Sequence, residues 1–68
     1  MGSVARVTEI SSTSEKSFDD AVHIGIDRAT KTLHNVTSAW VKEMRVELKK
    51  DKIQSYQVNM LVTFVLDE

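Results

Sequence analysis

The sequence predicts an α+β domain in which one helix covers one face of a three-stranded sheet, and three observations predict it. Residues 15–34 repeat their apolar side chains at helical spacing. Two later stretches, near 37–48 and 53–66, alternate apolar and polar residues as half-buried strands do. A β-branched segment precedes the helix, so the order is β-α-β-β, and at 68 residues the chain 1–68 makes one domain. One helix covers one face of such a sheet and no more.

The first strand is expected over residues 3–10, where Val4, Val7, Thr8 and Ile10 are β-branched and Pro is absent. Ser11, Ser12, Thr13 and Ser14 are expected to end it, with Thr13 or Ser14 capping a helix over 15–34. Along that helix Phe18, Ala21, Val22, Gly25, Ile26, Ala29 and Leu33 fall in one arc, the face that meets the sheet. Gly25 lies in the middle of the arc at a helix cost of ~1 kcal/mol against Ala, which points to a strand or helix approaching closely there. Ile24 lies outside the arc and is a candidate interface residue.

The second strand changes phase. Ala39 and Val41 are apolar on one parity and Met44, Val46 and Leu48 on the other, so a bulge between Val41 and Met44 is needed to bring both sets to one face. That bulge turns Ser38 and the chain's single Trp, Trp40, to the opposite face. Lys49-Lys50-Asp51-Lys52 lacks an Asn-Gly signal and reads as a four-residue loop. In the last strand Tyr56, Val58, Met60, Val62, Phe64 and Leu66 alternate toward the helix, leaving Ser55, Gln57, Asn59, Leu61, Thr63 and Val65 outside.

A chain this short buries about 60% of the surface its unfolded form exposes. It has no Cys and no zinc-ligand spacing, which leaves association as the means of completing its core, with sites formed between subunits. The net charge of −1, with acids and bases interspersed, provides no field suited to nucleic acid or an anionic membrane. No apolar run approaches the roughly 18 residues of a spanning helix and no signal-peptide core is present, so a cytoplasmic location is expected. No nucleophile with a base, carboxylate pair or Gly-rich phosphate loop is present, and an enzyme is not expected.

Among candidate binding residues, Trp40 serves either subunit packing or ring stacking, and Gln57 either a polar rim or a heteroaromatic ring. Arg45 shares a face with Glu47, where ion pairing across strands or across subunits competes with an anionic ligand group. His23 and His34 stand about three helical turns apart, too far to share a metal within one chain. Asp19, Asp20 and Asp27 read as a solvated helix face, with cation binding at an assembly axis as the alternative.

Thr13-Ser14-Glu15 before the helix, Ala29 with Thr32-Leu33 at its end, Ser55-Tyr56-Gln57, and Val62-Thr63-Phe64 together resemble a dodecin over nearly the whole chain. The resemblance implies a three-stranded antiparallel sheet wrapped around its helix and a hollow homododecamer. It also implies storage of flavin (riboflavin or FMN) between subunits, stacked on a Trp and hydrogen-bonded by a Gln. Gln57 matches that Gln. The family's Trp position is Ser38 here, two residues before Trp40, and an Arg that meets the FMN phosphate in bacterial forms is replaced by Val65. The candidate cofactor-binding set is therefore Gln57, Trp40, Ser38 and Arg45. The alternative is an assembly without flavin, holding coenzyme A, a divalent cation or no ligand, with Trp40 as interface packing.

Overall fold

The computed structural model describes residues 2–66. Strand β1 spans Ala5–Ser14, helix α1 Phe18–Thr32, strand β2 Val36–Lys49 and strand β3 Lys52–Val65. The sheet is antiparallel in the order β1-β3-β2, so β3 pairs on both sides and β1 and β2 are its edges. That central position suits the strand with the cleanest alternation. Val58, Met60 and Val62 are fully buried, and Ala21 of α1 packs with Val58 and Met60. Phe18 closes the helix's first turn edge-on against Tyr56, ring centroids 5.1 Å apart.

The serine cluster corrects the expected end of the first strand. β1 continues through Ser14, with Ser12 and Ser14 buried on the helix side. Ser12 Oγ donates to the Ala21 carbonyl at 2.7 Å, and Ser14 Oγ donates to Asp20 Oδ2 at 2.6 Å while accepting from the Lys16 and Ser17 amides. These bonds satisfy hydroxyls that burial would otherwise leave costly. The helix therefore starts later than 15, and its N-cap is Ser17 rather than Thr13 or Ser14: Ser17 Oγ accepts from the Asp20 amide at 3.0 Å. It ends at Thr32, before the expected 34, with the Leu33 amide donating to the Ala29 carbonyl. Asn35, at φ 61°, turns the chain into β2, a conformation Asn tolerates.

Gly25 meets its expectation. A Cβ there would lie 2.5 Å from Met60 Cε and 3.1 Å from Ser12 Cβ, so the small residue sets how near α1 lies to the sheet.

The bulge also falls where the phase change requires it. Val41 faces Met60, the register shifts at Lys42, and Glu43 faces Asn59. Ala39, Val41, Met44 and Val46 consequently lie opposite core residues of β3, and Ser38, Trp40, Glu43 and Arg45 opposite outer ones. The loop differs from expectation. Lys49 pairs with Lys52, leaving a two-residue turn in which Lys50 and Asp51 have φ of 53° and 65°, the signs a type I′ turn demands.

β1 ends opposite Tyr56, so beyond that point β2 and β3 continue as a bare two-stranded arm. A register shift at Gln54 sets Ile53 opposite Leu48 on the helix side of this arm, past the helix itself. The molecule is accordingly elongated, 53 Å in its longest dimension.

Candidate functional site

The outer sheet face is built from cross-strand rungs centred on β3. Gln57 stands between Thr13 and Arg45, Asn59 between Ser11 and Glu43, Leu61 between Glu9 and Trp40, and Thr63 between Val7 and Ser38. All four candidate residues, Gln57, Trp40, Ser38 and Arg45, thus share one face. The face has two chemistries. At one end Val7, Trp40, Leu61 and Val65 are apolar, with Trp40 62% exposed. At the other, polar side chains form a ladder.

In that ladder Gln57 Nε2 donates to Ser11 Oγ at 2.7 Å and to Asn59 Oδ1 at 3.4 Å, and Asn59 Nδ2 donates to Glu43 Oε1 at 3.1 Å. Both donor hydrogens of Gln57 are engaged, which orients its carbonyl as the acceptor open to a partner. Ser11, Asn59 and Glu43 were absent from the sequence-derived set. Strand parity grouped Asn59 with Gln57, but only the register across β1 brings Ser11 to the same amide.

Within one chain the cross-strand pairing envisaged for Arg45 and Glu47 does not form. Arg45 faces Gln57 across the strands and Glu47 faces Ser55, so neither meets an opposite charge there. Among the described residues the ion pair is Lys42–Glu9, at 3.6 Å. The bulge makes it possible by directing the extra residue, Lys42, over β3 to the far strand. Arg45 thereby keeps its guanidinium available to an anionic group.

The rungs also set distances. Trp40 lies on the Leu61 rung and Gln57 four residues along β3, an offset of ~14 Å, and Ser38 is one pleat repeat farther, ~7 Å. Trp40 and Gln57 of one chain therefore stand two pleat repeats apart along the outer face. Val65, on the apolar end, is half-buried and brings no charge.

Metal-ligating groups are dispersed. His23 and His34 are both exposed, Asp20 is bonded to Ser14, and among the described residues no three His, Cys, Asp or Glu side chains gather. No helix among the described residues is long and apolar enough to cross a membrane.

A family profile described as Dodecin matches residues 4–67. The curated dodecin of Thermus thermophilus is 35% identical over 68 residues, covering 100% of this chain and 99% of the relative. Among solved structures, dodecin from Streptomyces davaonensis is 43% identical with a TM-score of 0.93 and covers 100% of both chains. A calcium-chelating antigen, calcium dodecin, from Mycobacterium tuberculosis, described with a novel calcium-binding site, is 27% identical with a TM-score of 0.83 and covers 96% of this chain and 93% of its own. Sequence and backbone agree over nearly the whole chain, and the chain belongs to the dodecin family.

Proposed function

We propose that the protein is a non-enzymatic storage protein of the cytoplasm, a hollow homododecamer that sequesters flavin, as riboflavin or FMN, between the outer sheet faces of neighbouring subunits. The observation that carries this reading is Trp40, a large aromatic left 62% exposed on a sheet face whose other end is a hydrogen-bonded polar ladder. An aromatic platform suits a planar heteroaromatic ring, at about 1–3 kcal/mol per stacked ring. The Gln57 carbonyl supplies an acceptor for a ring N–H, and Arg45 supplies a cation for a phosphate. Ser38, small beside Trp40, leaves room for the ring. A bound flavin supplies a photoreactive, redox-active ring. The residues of this chain contribute stacking, orientation and exclusion of water, which hold that ring without turning it over.

The test is a titration of riboflavin and FMN with the purified assembly, its mass first measured by light scattering, following flavin fluorescence. Saturable quenching at micromolar concentrations is expected. An intact assembly that leaves both flavins fluorescent overturns the proposal. Trp40→Ala is expected to abolish quenching at unchanged mass, whereas loss of mass assigns Trp40 to subunit packing.

The calcium-chelating relative favours a second reading, in which the assembly holds a divalent cation. Within one chain the carboxylates are dispersed, so such a site draws on several copies. Calcium raising the melting temperature of metal-stripped protein, with no response to flavin, is the result that selects it.

A further inference from the structure

The polar ladder on the outer face has a direction, and one end of it fixes that direction. A side-chain amide carries both a donor nitrogen and an acceptor oxygen, so two amides bond equally well either way round. A carboxylate only accepts. Asn59 therefore turns Nδ2 toward Glu43 Oε1, at 3.1 Å, which leaves its Oδ1 for Gln57. Gln57 donates to that oxygen from Nε2 at 3.4 Å, and the same nitrogen donates its other hydrogen to Ser11 Oγ at 2.7 Å. The Ser11 hydroxyl donates or accepts with equal ease and follows whatever Gln57 presents. Of the four members, only Glu43 lacks a donor, and it sets the sense of the rest.

The fold holds these groups in line. Glu43 follows directly on the bulge at Lys42; without that extra residue it would lie opposite Val58, on the helix side, and Lys42 would face Asn59. Asn59 and Gln57 are half-buried on the central strand, two residues apart and so on one face. Ser11, opposite Asn59 on the far edge strand, reaches Gln57 on the diagonal.

The consequence falls on the binding group. With both Nε2 hydrogens engaged, Gln57 offers a ligand its carbonyl oxygen alone, so a ring edge that donates an N–H is bound and one that presents only acceptors leaves that oxygen unpaired. We propose that Glu43 and Asn59 are positioning residues, which by fixing the orientation of the Gln57 amide make the site selective for a heteroaromatic ring with an imide N–H, the N3–H of a flavin. The proposal rests on the flavin reading above and adds to it the residues that decide which group of the ring Gln57 accepts.

The test reverses the ladder without reshaping it. Riboflavin is compared with 3-deazariboflavin, in which a C–H replaces the N3–H, each titrated by calorimetry into assemblies whose mass is first checked by light scattering. Wild type is expected to favour riboflavin by about tenfold, the loss of one bond with its acceptor left unpaired. Glu43→Gln replaces the acceptor-only end with an amide that bonds Asn59 either way, so Asn59 and Gln57 can turn over and present Nε2 to a ring carbonyl; the preference is expected to fall severalfold. Adding Asn59→Asp puts an acceptor-only carboxylate beside Gln57 again, at unchanged net charge, and the double variant is expected to recover the wild-type preference. A purely structural role would weaken both compounds alike and gain nothing from the second substitution. Wild type that binds both compounds equally, a Glu43→Gln variant that keeps the wild-type preference, or a double variant that does not recover it overturns the inference and leaves the flavin reading standing. An intact assembly that binds neither compound overturns both.

Discussion

At the scale of single residues, Gly25 is the position where helix propensity and packing disagree. Ala in its place favours the helix by ~1 kcal/mol. The added Cβ, however, falls 2.5 Å from Met60 Cε and 3.1 Å from Ser12 Cβ, and Met60 is fully buried with little room to retreat. Overpacking at ~1–3 kcal/mol wins. Gly25→Ala is expected to destabilise by about 1 kcal/mol in urea unfolding. Met60→Leu, which removes the Cε, is expected to recover part of that loss when combined with it, a coupling a double-mutant cycle reads directly. Arg45 gives a second prediction. If it meets a phosphate, Arg45→Ala weakens FMN by about tenfold, the lower end of a charge-assisted bond, and leaves riboflavin unchanged. Equal losses for both would place Arg45 at the ring or in folding instead. The close approach at Gly25 was legible because an interior helical Gly needs a reason. Ser12, one of the two side chains it approaches, was not, since Ser and Thr in a row read as a loop until burial beneath a helix is known.

At the scale of elements, the β2–β3 turn is the place where local sequence works against the structure. Lys50 and Asp51 both hold positive φ without glycine, a left-handed conformation costing roughly 1–2 kcal/mol for ordinary residues. Replacing the pair with Asn-Gly is expected to stabilise by about 1 kcal/mol, measured as a higher urea midpoint at unchanged slope. Destabilisation would mean that Lys50 or Asp51 makes a contact in the assembly that the turn geometry does not reveal. The same mismatch explains the expected four-residue loop: the favoured turn residues are missing, and cross-strand pairing out to Lys49 and Lys52 imposes the tight turn regardless. The bulge at Lys42 was legible for the opposite reason. An apolar phase change within a continuous strand has few remedies, and one extra residue is the simplest.

At the scale of the whole molecule, the described chain leaves uncovered more apolar surface than one helix can hide. Val7 and Trp40 lie on the outer face, Met44 on the helix side of edge strand β2, Leu48 and Ile53 on the arm past α1, and Ile24 on the helix itself. The need for association followed from the sequence through the half-apolar outer face and the small core. The arm did not, because it arises from how far β1 and α1 stop short of the β2–β3 hairpin, which alternation within a strand leaves open. If copies cover these faces as proposed, folding and assembly are linked by mass action, and the melting temperature is expected to rise with total chain concentration. Ligand adds to this on the same scale: flavin at 100 times its dissociation constant contributes ~2.7 kcal/mol per site. A melting temperature indifferent to dilution over a hundredfold range, under reversible conditions, would mean that one chain holds its fold alone despite these surfaces. If it rises with concentration and rises again with riboflavin, the exposed faces are those that copies and ligand cover together.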